Sequence, residues 1–140
     1  MQMVLVAASN NEEDMILAIV GTRMFAAPKG LAYASFLVEE EVRSKRWDSF
    51  VTGDPEYSNR EGVDALCMQW CATYDRECRI FAPKTRKWRP DGFEARNILI
   101  AETCDEMLCI RDPGSTTYGS GWTANYCRTL GKPVTTVEIS

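Results

Sequence analysis

Length, composition and charge narrow the classes of protein to which this chain can belong. Its 140 residues fit one domain, and 45% hydrophobic and 26% charged residues are close to the averages of soluble globular proteins. The formal net charge of -4 opposes a nucleic-acid-binding surface, because phosphate backbones are held chiefly by clustered Lys and Arg. The chain has no histidine, which excludes the usual Cys/His zinc sites and any Ser-His or Cys-His dyad.

The six cysteines predict a reduced protein rather than a disulfide framework. Most of them fall within apolar helical or strand patterns, where free Cys behaves as a small hydrophobe, and no two have Cys-x-x-Cys spacing. The apolar residues 1–9 have no basic leader and precede an acidic run, unlike a secretory signal, and no run reaches membrane-spanning length. We therefore expect a cytoplasmic protein with no membrane partner, no metal and no cofactor.

From residue 15 onward, short β-rich runs alternate with helical patterns. The first strand is predicted at residues 15–20, which are apolar enough to be covered on both faces. A helix to about residue 46 follows, with its apolar side chains at helical spacing. Later strands are predicted at residues 49–52, 79–82, 107–110 and 134–139. Of the helices between them, one covers about residues 63–74, one begins near Gly92, and the last is ended by Gly131 and Pro133.

This alternation is typical of parallel strands joined by right-handed crossovers. It predicts an α/β fold: a single Rossmann-like three-layer domain over residues 15–140, with a mostly parallel sheet of five or more strands and helices on both faces. Residues 1–14 form an N-terminal extension that either adds an edge strand or extends from the domain.

The loops after the strands are the expected ligand sites, because ligands of parallel sheets bind beyond the carboxyl ends of the strands. These loops contain Gly21-Thr22-Arg23, Gly53-Asp54, a basic segment around Trp88, and a stretch rich in Gly, Ser and Thr over residues 114–123. Glycine lets a phosphate approach the backbone and hydroxyls donate to it. Arg23 by itself fits a phosphate contact and a surface arginine equally well. The GxGxxG and GxxxxGK[ST] motifs are absent, which argues against NAD-dependent hydride transfer and Walker-type hydrolysis.

Five short motifs occur in order along residues 15–139, and together they resemble the SLOG superfamily, with the YspA/YpsA-related proteins as the nearest branch. The motifs are Gly21-Thr22-Arg23-x-Phe25, Val51-Thr52-Gly53-Asp54, Gly62-Val63-Asp64-x-Leu66, Gly92-Phe93-x-Ala95-Arg96-Asn97 and Gly131-Lys132-Pro133-Val134. The resemblance implies a Rossmann-like fold that holds nucleotide-derived ligands at the strand ends.

Relatives in the LOG branch of this superfamily cleave the N-glycosidic bond of nucleoside monophosphates with an arginine and a loop glutamate. Arg96 matches that arginine, but Thr123 stands where the glutamate is expected, so the catalytic loop is not reproduced. Asp54, Asp64, Glu94 and Asp112 are possible substitutes for that glutamate, and all except Asp64 fit turn-forming or helix-dipole roles better.

The catalytic candidates are therefore Arg96 and Asp64. Arg96 and Asn97 also stand out as polar residues on an otherwise apolar helix, where a buried arginine needs an anionic partner. The predicted ligand-binding residues are Gly21, Thr22, Arg23, Phe25, Gly53, Asp54, Asp64, Arg96, Asn97, Ser115, Gly119, Ser120, Gly121 and Thr123.

Three functions follow from these residues. The first is a nucleotide or nucleoside-phosphate binding protein, with an aromatic residue such as Trp88, Phe25 or Trp122 covering the base. The second is an enzyme that cleaves or transfers N-glycosidic bonds, either a phosphoribohydrolase or a deoxyribosyltransferase-like protein. The third is a DNA-processing or protein-interaction module, which the acidic balance disfavours. Many folds of this type also pair through a helix face, so a homo-oligomer is a further expectation.

Overall fold

A computed structural model describes residues 14–55, 62–114 and 119–139. Residues 1–13 lie outside this range, so the predicted N-terminal extension stays a prediction. The described residues form five strands and four helices that alternate along the chain. They are β1 (Ile16–Gly21), α1 (Pro28–Arg43), β2 (Ser49–Gly53), α2 (Val63–Thr73), β3 (Cys78–Phe81), α3 (Phe93–Thr103), β4 (Glu106–Arg111), α4 (Gly119–Thr129) and β5 (Val134–Glu138).

The five strands make one parallel sheet in the order β3-β2-β1-β4-β5. Helices α1 and α2 pack together over one face, and α3 and α4 pack together over the other. The predicted α/β Rossmann-like domain is thereby confirmed. Within the described ranges, no helix is both long and apolar enough to cross a membrane.

The central strand β1 shows why an apolar run at this position becomes a fully covered strand. Its side chains alternate between the two faces: Leu17 and Ile19 join the core beneath α1 and α2, whereas Ala18 and Val20 join the core beneath α3 and α4. All four are buried, as expected for a strand with helices on both sides.

Helix α1 ends at Arg43, three residues before the predicted end. Its buried residues recur every four positions, from Gly30 to Val42, and the chain becomes extended at Ser44. The reason is tertiary: the Arg76 guanidinium donates to the carbonyl groups of Val42, Ser44 and Trp47 and so satisfies backbone acceptors at the end of this helix. A pattern within one helix carries no signal of such a distant donor.

The C-terminal ends of α3 and α4 are fixed by the short segment between α4 and β5. Gly131 has φ +79, the left-handed conformation that stops a helix, as its position after α4 predicts. The next residue, Lys132, donates from Nζ to the carbonyl groups of Ala101, Glu102 and Cys104 at distances of 2.8, 2.9 and 2.6 Å. One lysine thus neutralises the negative end of α3.

Candidate functional site

The strand order places a crevice beside the carboxyl end of β1. After β3 the chain crosses over the sheet through α3 and returns as β4 on the other side of β1, so the strand order reverses between β1 and β4. Ligands of open parallel sheets bind at such a reversal. A small cavity of about 40 Å³ lies there, lined by Val20, Gly21, Arg23, Asp64, Phe93, Arg96, Asn97, Ile100, Ser120 and Thr123.

Seven of the predicted site residues lie on the walls of this cavity, although they are spread along the chain from β1 to α4. Gly21 and Arg23 lie at and just after the end of β1, Asp64 is in the first turn of α2, and Arg96 and Asn97 are in α3. Ser120 and Thr123 are in the first turns of α4 and complete the set.

Arg96 is the most deeply placed cation of the cavity, with only 7% of its surface exposed. Its Nη1 donates to the Phe81 carbonyl at 3.1 Å and its Nε donates to Asn97 Oδ1 at 2.7 Å. Burial lowers the pKa of Arg96, while the nearby Asp64 carboxylate opposes this change. An arginine remains charged at neutral pH even so, and a charge buried to this degree needs an anion close by.

Asp64 is the carboxylate that faces this arginine. Burial raises its pKa from 3.8 to about 6, against the opposing effects of Arg96, a hydrogen bond from Thr52 and the charge of Arg23. The Thr52 hydroxyl lies 3.1 Å from Asp64 Oδ1 and fixes the carboxylate at the end of β2. The pKa of Asp64 thus lies at about 6, below neutral pH but well above the usual value of a carboxyl group.

Gly53 leaves open the space that the ends of the Arg96 and Asp64 side chains occupy. A Cβ atom at this position would lie 2.4 Å from Arg96 Nη1 and 2.7 Å from Asp64 Oδ2. These distances are far below a van der Waals contact, so only glycine leaves both charged groups in place. The Gly53 residue of the predicted site thus acts by giving room to its neighbours.

A second arginine meets Arg96 at the ring of Phe93. The Arg23 guanidinium carbon lies 4.7 Å from the ring centroid and that of Arg96 lies 5.2 Å from it. Each contact is within cation–π range. The charge of Arg23 also contributes to the lowered pKa of Arg96, which places two positive charges in one small cavity.

Phe93 was absent from the predicted site. The signal for it was present in the sequence, because Phe93 precedes Arg96 by three residues and residues at this spacing share a face of a helix. Its adjacency to Arg23, by contrast, comes only from the packing of α3 against the end of β1.

Ser120 brings a different kind of polar group to the cavity. Its Oγ is buried and has no hydrogen-bond partner within the described part of the chain. Buried hydroxyls are nearly always paired, so this atom marks a position where a ligand oxygen or a water molecule would be bound. The neighbouring Thr123 is also buried, with 1% of its surface exposed.

Thr22 and Phe25 are placed away from the cavity. Thr22 is 2% exposed, and its Oγ1 accepts the backbone N–H of Asp112 at 2.8 Å, which ties the end of β1 to the end of β4. Phe25 packs against the core beneath α1 and α2. Their predicted ligand contacts stay predictions, and the structure gives each a packing role.

The remaining candidates occupy the surroundings of the cavity. Asp54 follows β2 and its charge acts on Arg96, while Gly119 begins α4 and Gly121 lies beside the Arg111 side chain. Ser115 falls outside the described residues. Asp112 accepts the backbone N–H groups of Ala26 and Gly114, and Glu94 pairs with Arg89, which agrees with their expected structural roles.

Two of the aromatic residues expected to cover a base are in contact with each other. Trp88, from the basic loop, makes an edge-to-face contact with Trp122, with ring centroids 5.1 Å apart. Trp122 in turn stacks on Tyr126 at 5.4 Å. Trp122 lies between Ser120 and Thr123 in the sequence of α4, but neither tryptophan is among the residues that line the cavity.

The fold and the cavity together define a Rossmann-like α/β domain with a polar crevice at its switch point. No family model matches the chain, and no curated protein matches it by sequence. Among solved structures it is similar to the molybdenum cofactor binding protein from the phototrophic bacterium Rippkaea orientalis, with a TM-score of 0.62 and 18% identity over 91% of this chain and 78% of that one.

It is also similar to TM1055, a structural genomics target, with a TM-score of 0.58 and 16% identity over 86% of this chain and 72% of that one. At these identities the likeness shows the fold alone. It supports the Rossmann-like fold that the sequence predicts. Membership of the SLOG superfamily and of its YspA/YpsA-related branch stays a prediction.

Proposed function

We propose that this protein binds a nucleotide or nucleoside phosphate, with a phosphate group in the cavity beside β1. The observation that carries the proposal is the convergence of Arg23 and Arg96 on one aromatic ring, since both guanidinium groups lie within 5.2 Å of the Phe93 ring centroid. Two like charges in one small cavity repel each other, and a bound anion offsets that repulsion. Arginine binds phosphate, as it binds carboxylate, through paired N–H donors.

Charge and hydrogen-bonding capacity agree with this ligand. Among the residues that line the cavity, Asp64 supplies one negative charge against the positive charges of Arg23 and Arg96, and Asp54 acts on Arg96 from outside the lining. The Ser120 hydroxyl, which has no partner among the described residues, adds a further donor to the lining. Phosphate oxygens would accept hydrogen bonds from the guanidinium groups and from this hydroxyl.

The volume of the cavity limits what enters it. A space of about 40 Å³ holds roughly three water molecules, enough for the phosphate end of a ligand and too little for a nucleoside. The base and sugar would then lie outside the cavity, and Trp88 and Trp122 are the aromatic residues that we propose to contact the base. One solved structure of this fold belongs to a molybdenum cofactor binding protein, which supports a small-molecule ligand.

A thermal shift assay over a panel of nucleoside mono-, di- and triphosphates tests the proposal. A ligand at about 100 times its dissociation constant adds roughly 2.7 kcal/mol to the free energy of unfolding, so at least one nucleotide should raise Tm clearly. Arg23→Met should remove the shift.

Arg79→Met is the matched control, because Arg79 also lies over a phenylalanine ring, that of Phe81 at 5.2 Å, but away from the cavity. This variant should keep the shift of the unmodified protein. No shift from any nucleotide at millimolar concentration would contradict nucleotide binding.

A second candidate function is hydrolysis of the N-glycosidic bond. It needs a different pose, in which the sugar–base bond and not the phosphate faces Asp64 at the mouth of the cavity, and one observation favours it. Asp64 titrates near pH 6 beside Arg96, so at neutral pH it is mostly ionised and can still accept a proton. In such a reaction the bond between sugar and base breaks with its electron pair moving to the base, which takes up a proton from solvent. Water adds to the sugar carbon, and Asp64 receives the proton that the water loses and then releases it to solvent.

Chromatography of nucleoside monophosphates incubated with the protein tests this second function. A free base should be released, and Asp64→Asn should abolish the release without loss of folding. Glu102→Gln, an exposed carboxylate change elsewhere in α3, should leave the rate unchanged. Nucleotide binding without base release would leave the first proposal standing and contradict the second.

A further inference from the structure

Three cysteine side chains meet on the α1 and α2 side of the sheet, away from the cavity walls. Cys67 and Cys71 are one turn apart on α2, and Cys78 is the first residue of β3. Their Sγ atoms all lie within 4.8 Å of one another, and those of Cys67 and Cys78 are 3.9 Å apart. The spacing Cys-x3-Cys-x6-Cys has no standard metal-site meaning, and only the packing of α2 on β3 brings the three together.

We infer that Cys67, Cys71 and Cys78 form a three-sulfur binding site for a soft, thiophilic metal ion, with Cu(I) as the ion that fits best. Thiolates are the ligands that select such ions. On binding, each thiol that is protonated releases its proton to solvent and its sulfur coordinates the ion. This inference departs from the expectation that the protein holds no metal.

The distances agree with a metal site after little movement. With metal–sulfur bonds of about 2.3 Å, the sulfurs of a trigonal site stand about 4.0 Å apart and those of a tetrahedral site about 3.8 Å. The observed Cys67–Cys78 separation of 3.9 Å matches this range without rearrangement. Cys71 needs to move by less than an ångström.

The number of ligands favours Cu(I) over Zn²⁺. Structural zinc sites almost always have four protein ligands, and this chain has no histidine to supply one. Across residues 14–55, 62–114 and 119–139, no carboxylate oxygen joins the three sulfurs. Three sulfurs in an apolar pocket suit an ion that accepts three-coordination and prefers sulfur to water.

The site has a route of entry and a nearby positive charge. Cys67 and Cys71 are buried, whereas Cys78 is half-buried at the start of the edge strand β3. An ion can therefore reach the cluster through Cys78. The Arg76 guanidinium is close enough to Cys71 to act on its charge, which offsets part of the negative charge of the thiolates.

Anaerobic titration of the reduced full-length protein with Cu(I), against a colorimetric Cu(I) chelator, tests the inference. We expect one Cu(I) per chain, with X-ray absorption showing only sulfur neighbours at about 2.3 Å. Cys78→Ser, chosen because this residue is half-buried, should weaken binding by roughly 100-fold or more, since it removes a direct ligand.

Cys127→Ser is the matched control. Cys127 also has a thiol neighbour at 3.9 Å, Cys104, but this pair lies in the core beneath α3 and α4, and no third sulfur joins it among the described residues. The variant should bind Cu(I) as the unmodified protein does. Circular dichroism and Tm measurements check that each variant is folded. The X-ray absorption measurement uses the unmodified protein, so its result does not depend on the folding of any variant.

Several outcomes would overturn the inference. They are the absence of Cu(I) retention by the reduced protein, oxygen or nitrogen neighbours in the absorption spectrum, and a loss of binding caused by Cys127→Ser instead of Cys78→Ser. Tight Zn²⁺ binding in a parallel titration, with weak Cu(I) binding, would also overturn the choice of a three-coordinate soft ion.

Discussion

Asp64→Asn should make the protein more stable at neutral and alkaline pH, even though it removes a charge that faces Arg96. Burial raises the pKa of Asp64 from 3.8 to about 6, so the ionised carboxylate is less favourable in the folded protein than in the unfolded chain. A rise from 3.8 to about 6 corresponds to about 3 kcal/mol of destabilisation once the group is ionised in both states. Asparagine keeps the acceptor for Thr52 and avoids that penalty.

The sign of this effect depends on pH. A carboxyl whose folded pKa is raised loses stability as pH rises from 3.8 to about 6, and the loss is complete above that value. The advantage of Asp64→Asn should therefore be about 3 kcal/mol at pH 8, or roughly 10 °C in Tm, and about 0.6 kcal/mol at pH 4.

Urea denaturation of both proteins between pH 4 and pH 8 measures the difference in free energy of unfolding. Glu102→Gln, which removes an exposed carboxylate, controls for the change in net charge and should show no such trend. An Asp64→Asn advantage that stays constant with pH, or that grows toward pH 4, would refute the assignment of Asp64 as a buried group with a raised pKa.

Three further changes test the packing around the cavity and the helix ends. Gly53→Ala should cost about 1–3 kcal/mol of stability and weaken nucleotide binding, because its Cβ would lie 2.4 Å from Arg96 Nη1. Gly121→Ala is the control: its Cβ would make no contact below 3.6 Å, so this variant should fold normally. Ser120→Ala should leave the free protein as stable or up to about 1 kcal/mol more stable, because the hydroxyl has no partner among the described residues. The same change should reduce the nucleotide-induced Tm shift. A lower stability of the free variant would show that the hydroxyl does make a hydrogen bond. Lys132→Met should cost about 1–3 kcal/mol in urea denaturation through three lost hydrogen bonds, and Lys29→Met, at an exposed position, should cost almost nothing.

The elements of the fold were predictable because each carries its own periodic pattern. The apolar run of β1, the four-residue spacing along α1 and the stop at Gly131 all act within a few residues of chain. The end of α1 was placed three residues too late, since Arg76 reaches it from a distant part of the sequence.

The sequence predicted residues of the candidate site, but not how their side chains are arranged in space. The end of the first strand pointed to Arg23. The family resemblance and the apolar surroundings of α3 pointed to Arg96, and Asp64 was the carboxylate with no better structural role. All three line one cavity. Nothing in the sequence distinguished Thr22, whose hydroxyl serves the backbone of Asp112, from a residue open to a ligand. Such distinctions depend on which polar groups the packing leaves unpaired.

Sequence by itself determined that this chain alternates strands and helices, that its sheet is parallel, and which loops follow the strands, because these properties arise from local periodicity. Tertiary structure alone decided three things: that Arg23 and Arg96 share the ring of Phe93, that Gly53 makes room for Asp64, and that Cys67, Cys71 and Cys78 converge. The physical reason is that each of these contacts joins different elements, whose relative placement is set by the strand order and by the packing of helices on the sheet.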